Sequence, residues 1–465
     1  MLIRNADLPG SGRRDVRLGA GRIAAIAPAL DPLAGETVID ADGAALLPGL
    51  HDHHLHLAAL AAALASVACG PPQVQDAESL AAALRRASAE GEGWLRGIGY
   101  HESVAGDIDR HWLDRQVPAR PLRVQHRSGQ LWILNSAALQ ALTADGADIP
   151  AACRDGLRNG RLFRCDDWLR ARLPGRFPDL SGVSRLLAQR GVTAVTDASV
   201  NNDRAQAQRF AAAQARGELR QALLLMGSAD LDTWTGDQSC RRGATKFHLN
   251  ETVLPDFDAL CAAIRRSHDA GRAVAAHCVT RTELLFMLAA LEAAGAQPGD
   301  RIEHASVTPP EAMAQIAALG LTVVTQPNFL WERGDAYRRD VAPEDQPWLY
   351  RGRGFRDRGI ALAAGSDAPF GAADPWRAMQ AAVDRRTRDG ATLGAAEALM
   401  PEEAVALYTG DIDTPGVSRR LAVGGGADLC LLDRPWSQAR SDLSAVTVRL
   451  TLRGGDVLWQ SPSHA

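Results

Sequence analysis

Residues 47–57 read LPGLHDHHLHL, an apolar start that runs straight into a cluster of histidines. Seven further apolar runs follow: GVTAVTDAS (191–199), QALLLMGS (221–228), ATKFHLN (244–250), RAVAAHCVT (272–280), DRIEHASV (300–307), LTVVTQP (321–327) and IALAAGSDAP (360–369). Continuous apolar character of this kind belongs to parallel strands covered by helices. The segments between them, such as DFDALCAAIRRSHDAG and TPPEAMAQIAALG, carry helical periodicity and end at glycine. Eight strand–helix units predict an α/β fold, a (β/α)8 barrel of the TIM type. A doubly wound open sheet is the competing arrangement.

The two ends read differently. Short β-like runs separated by turn residues occupy residues 1–48, and ADLCLLD (427–433) and AVTVRLTLRGGDVLWQ (445–460) resemble them. Neither end is long enough for a core of its own. The expected organisation is therefore a small β-sandwich built from 1–48 plus 406–465, with the barrel over 49–405. Residues 70–185 fit no barrel unit. They hold two strand-like runs, WLRGIGY and PLRVQHR, and are expected to be an insertion after the first barrel strand.

Composition removes several classes of function. The 465 residues carry a net charge of −4 and no dense basic run, which excludes a nucleic-acid surface. The longest apolar stretch, at 57–69, is too short and alanine-rich for a membrane span. The N-terminus lacks the apolar core of a signal peptide, and the seven cysteines are scattered with no CxxC. A cytoplasmic protein without a disulfide framework is the expectation. Homo-oligomerisation is left open.

Catalytic groups of barrels stand at the C-terminal ends of the strands. Those ends here carry His54 and His56 (first strand), Lys246 (fourth), His277 (fifth), His304 (sixth) and Asp367 (eighth). Two residues apart on a strand, His54 and His56 point the same way. Imidazoles with a carboxylate are a ligand set for zinc and its neighbours. Each residue alone has a plainer reading: a solvated turn for the histidine patch, a hydrogen-bonded core residue for His277, helix caps for His304 and Asp367, an ion pair for Lys246. Yet Lys246 is the sole lysine among 51 basic residues. A position that resists replacement by arginine needs what a guanidinium cannot do, which is to lose a proton when desolvated.

PGLHDHHLH (48–56), TKFHLN, AAHCV, RIEHAS and GSDAP together resemble the ordered ligand motifs of the amidohydrolase superfamily. The similarity is to the family 3 branch that includes N-substituted formamide deformylases and relatives of D-aminoacylases, and it runs from about residue 2 to 458. The resemblance implies two divalent ions, zinc above all, one on His54, His56 and Asp367 and the other on His277 and His304. A CO2-derived carbamate on Lys246 would bridge them. It further implies hydrolysis of a small-molecule amide (N-acyl, N-formyl or cyclic) by a metal-bridging hydroxide, with Asp367 as proton shuttle. Substrate contacts are expected from His248, Gln130, Asn135, Gln326 and Asn328, although Gly129–Gln130 stands where relatives often have Gly-His. Residues 329–355, with Trp331, Arg333 and Tyr350, are expected to cover the mouth. A lactonase or esterase would use the same site. A mononuclear deaminase fits less well, because Cys278, Val279 and Thr280 follow His277 with no glutamate. A non-catalytic relative would be expected to have lost ligands.

Overall fold

The computed structural model describes residues 1–462 except 72, 91, 145–147, 174 and 176. Its central sheet has eight strands: β1 (Leu50–Leu55), β2 (Val192–Asp197), β3 (Ala222–Gly227), β4 (Cys240–His248), β5 (Val274–Cys278), β6 (Arg301–His304), β7 (Thr322–Thr325) and β8 (Leu362–Ala364). Seven lie within their apolar runs, and β4 overlaps ATKFHLN but begins four residues before it. They are parallel and neighbours in chain order. Just beyond β8 the chain bonds back to β1, through Asp367 N to His54 O (2.7 Å) and His56 N to Ala368 O (2.8 Å). The result is a nearly closed parallel barrel.

The covering helices start where short polar side chains satisfy free amides. Asp256 accepts from Ala259 N ahead of helix Phe257–Asp269, and Thr280 and Glu283 form a capping box for Arg281–Ala294. The two helices follow β4 and β5 in the chain, beyond the strand ends at His248 and Cys278.

Both chain ends contribute to two small sheets. One holds Leu2–Leu8, Gly12–Gly19, Arg22–Ala27 and Val38–Asp40; the other holds Leu46–Pro48, Leu429–Leu432, Val448–Arg453 and Asp456–Gln460. Alternate residues of both enclose one core, with Ile3, Val16, Leu18 and Ile23 against Leu429, Leu431, Leu450 and Leu452. This is the β-sandwich expected from the patterning.

The chain divides into a unit of residues 1–57 with 179–465 and a second of 58–178. The second unit, considered by itself, has a five-stranded sheet. WLRGIGY and PLRVQHR supply its parallel strands Leu95–Tyr100 and Leu122–His126. Leu131–Leu134 and Arg161–Phe163 add antiparallel neighbours. A disulfide joins Cys153 to Cys165 here, against the expectation of unpaired cysteines. Strand Arg161–Phe163 returns the chain so that the two Cα atoms lie 6.1 Å apart, a proximity that a spacing of 12 residues does not reveal. The other five cysteines are free and buried. No helix among the described residues is long and apolar enough to cross a membrane.

Candidate metal centre

The strand register brings the histidines together. His248 of β4 lies opposite His277 of β5, His277 opposite Glu303 of β6, and Cys278 opposite His304. Ring centroids are 4.3 Å apart for His248–His277, 4.4 Å for His277–His304 and 4.8 Å for His304–His54. His54 Nε2 and His56 Nε2 lie 3.5 and 3.2 Å from Asp367 Oδ1. Among the described residues, His54, His56 and Asp367 form the group whose donor atoms converge closely enough to hold one ion.

The outer ring nitrogens are anchored. His54 Nδ1 bonds the buried Glu303 carboxylate, His304 Nδ1 meets Gln326 Oε1 at 2.7 Å, and His56 Nδ1 meets Ser199 Oγ at 2.9 Å. Anchoring Nδ1 leaves Nε2 for a metal, the arrangement in which an outer partner fixes ring orientation and tautomer. Two of the candidate positions also have left-handed backbone, His304 (φ 71°) and Asp367 (φ 55°). A non-glycine residue holds such a conformation only where its surroundings over-determine it, as at sites.

Lys246 lies 6% exposed on β4, and its Nζ has no hydrogen-bond partner. Burial lowers its pKa, opposed by the nearby Glu303 carboxylate. A buried amine without an acceptor is a poor resting place for a cation and a good one for a neutral nucleophilic nitrogen. Burial likewise pushes the imidazoles of His277 and His304 down, to about 2 and about 3, so both are neutral in the form that binds metal. Asp367 is ionised: burial opposes its charge, but the hydrogen bond from His56 and the surrounding imidazoles hold it well below the usual carboxylate range. A neutral nitrogen set, one ionised carboxylate and an amine able to acquire a negative group fit a divalent metal centre.

The expected substrate contacts separate. His248 is exposed beside His277, at the open side of the cluster. Gln326 is buried as the anchor of His304, and Asn328 donates to Ser366 O at 3.1 Å. Asn135 and Gln130 belong to the 58–178 unit. Asn135 caps helix Ser136–Thr143 and spends its whole amide on Leu122 N, Ala138 N, Val117 O and Arg120 O. Gln130 lies exposed in a turn beside Arg164. Residues 328–340 form a helix rather than an open loop, with Trp331 stacked beneath Arg377 and Arg388 and Arg333 over Phe329. Tyr350 is buried, its hydroxyl 3.1 Å from that of Tyr337.

Sequence reading missed four residues. Arg301 and Glu303 form an ion pair inside the barrel. Ser199 anchors His56, and Phe370, 60% exposed, stands edge-on to the His56 ring at 5.5 Å. The one available signal was the i, i+2 spacing of Arg301 and Glu303 immediately before His304.

The amidohydrolase family model matches residues 37–459, which takes in the barrel, the insertion and the sandwich strands from Val38 onward. The chain belongs to the amidohydrolase family. This amidohydrolase is 26% identical to the N-substituted formamide deformylase of Arthrobacter pascens, over 97% of its own length and 96% of the relative's. It is 25% identical to YtcJ of Bacillus subtilis (strain 168), over 91% and 90%. Among solved structures, an uncharacterized metal-dependent hydrolase from Pyrococcus horikoshii OT3 superposes with a TM-score of 0.78 at 19% identity, covering 93% of this chain and 97% of the other. A Pyrococcus furiosus counterpart gives 0.77 at 20% identity, covering 93% and 98%. The amidohydrolase thus carries its candidate metal site, His54–His56–Asp367, in a fold shared with these structures.

Proposed function

We propose that this amidohydrolase cleaves C–N bonds of small amides (N-acyl, N-formyl or cyclic) at a centre of two divalent ions, zinc by preference, bridged by a carbamate on Lys246. Lys246 Nζ carries the reading: it is buried, lacks a partner and lies close enough to Glu303 and His54 to perturb both. A neutral lysine nitrogen adds to CO2, forming one N–C bond and releasing one proton, and the product is a carboxylate on a long stem. That group would give the unpartnered amine position an anionic oxygen donor for the ions.

His54, His56 and Asp367 would hold one ion, and His277 and His304 the other. Such ions polarise a carbonyl and acidify a water when bound. Asp367, ionised and within reach of His54 and His56, can take a proton from the attacking water and return it to the leaving amine. His248, on the open side, is placed to touch the substrate. Phe370 offers an apolar wall beside His56. The amide preference is supported by the formamide-cleaving relative, while an ester could be attacked by the same groups.

Metal analysis combined with intact mass tests the reading. Wild type should bind two ions and carry the mass of one CO2 on Lys246. A panel of N-acyl, N-formyl, cyclic amide and lactone substrates should then show turnover strongest on amides. An active enzyme with unmodified Lys246, or exclusive turnover of lactones, would refute it.

A further inference from the structure

Glu303 lies among the histidines without belonging to the expected ligand set. It is fully buried on β6, and each carboxylate oxygen has its own strong donor: Oε1 takes Arg301 Nε, and Oε2 takes His54 Nδ1. Arg301, two residues earlier, faces the same side of the strand. It is 4% exposed, and its Nη2 donates to the carbonyl of His53 at 2.9 Å. The pair therefore grips β1 twice from across the barrel, by the backbone of His53 and by the ring of His54.

The chemistry of the donors fixes the tautomer. An ionised carboxylate only accepts hydrogen bonds, so His54 must present Nδ1–H to it. The lone pair is then on Nε2, the nitrogen facing Asp367. Both oxygens of this carboxylate are engaged by strong donors, one of them a guanidinium itself pinned to the backbone, which holds the group on Arg301 and His54.

We infer that Glu303 is a positioning residue and not a metal ligand: with Arg301 as its fixed counter-ion, it locks His54 in the Nδ1–H tautomer and aims Nε2 at the ion shared with His56 and Asp367. This rests on the metal centre proposed above.

The test is cobalt titration of metal-free wild type, Glu303→Gln and Glu303→Asp, followed by visible absorption and equilibrium dialysis. Both variants should bind cobalt 10–100-fold more weakly, the loss typical when an outer partner of a ligand histidine is removed. Stoichiometry at saturation and the position of the absorption bands should be unchanged, because the ligand set is unchanged. Unaltered affinity in both variants overturns the assignment. So does a variant that loses an ion outright with shifted bands, the mark of a missing ligand. Should both variants fail to fold, anomalous diffraction from zinc-loaded wild type decides. A Glu303 oxygen at about 2.0–2.2 Å from zinc overturns the inference, and Glu303 on His54 Nδ1 with zinc on Nε2 supports it. Wild type that takes up no ion would instead refute the metal centre itself, and the inference with it.

Discussion

The backbone amide of Asp367 donates to the carbonyl of His54 at 2.7 Å, so the barrel is fastened shut between two residues of one candidate ion site. The seam is tight because Gly365 has no side chain. A Cβ there would lie 2.3 Å from His54 N and 2.6 Å from His54 Cβ. Gly365→Ala should cost about 1–3 kcal/mol of stability by overpacking and loosen ion binding at His54, His56 and Asp367. Thermal melting with metal analysis checks both, and an unchanged melt with full metal content would show the seam to be yielding.

Lys246 distinguishes charge from chemistry. Lys246→Arg keeps a cation but no carbamate-forming amine, so it should lose bound metal and fall in kcat/KM by roughly 10³-fold, the scale of lost electrostatic stabilisation. Lys246→Ala should fall as far, yet recover part of its activity with added short carboxylic acids, which the arginine variant has no room to admit. Equal metal content in wild type and Lys246→Arg would contradict the carbamate.

Asp367→Asn removes the proton acceptor while preserving shape. The expected loss in kcat is roughly 10²–10⁴-fold, as for a general acid–base. Metal at His277 and His304 should persist. Stopped-flow assays on metal-replete protein would measure this, and a variant within threefold of wild type would assign the proton shuttle elsewhere.

The metal-free protein should weaken in acid. Burial lowers His277 to about 2 and His304 to about 3, whereas an unfolded histidine titrates near 6.5. Between those values the unfolded chain binds more protons, so stability rises with pH in that interval. The contribution is complete above about 6.5 and is lost as pH falls toward 3. Urea melts of chelated protein from pH 7.5 down to 4.5 should show a falling midpoint, and a midpoint that climbs on acidification would exclude this pair as a determinant.

Asn135 is placed to hold its own unit together. With four hydrogen bonds from its side-chain amide inside residues 117–138, Asn135→Ala should cost about 2–3 kcal/mol through a lost cap and unpaired buried groups. The folded fraction should keep its KM, and a raised KM at full stability would restore a substrate role.

The barrel was legible because parallel strands advertise themselves as unbroken apolar runs, and the candidate group His54, His56 and Asp367 because each sits near the end of such a run. Glu303 was hidden by distance: its partner His54 is 249 positions away in sequence, and only closure of the sheet makes them neighbours. Arg301 read as one arginine among fifty. The left-handed conformations of His304 and Asp367 leave only a weak trace in residue type, since glycine, the usual marker, is absent at both. Asn135 drew attention as a polar residue near suggestive motifs, when its side chain answers a local need for a cap.

The sandwich has a consequence in time. Leu46 pairs with Leu431, and the apolar faces of Ile3, Val16 and Leu18 are sealed only by strands beyond residue 427. At ribosomal speeds of about 5–20 residues per second, the first strands wait roughly 20–80 s for their covering half. During synthesis the greasy faces around Ile3, Val16 and Leu18 stay open until the strands beyond residue 427 emerge to put them away.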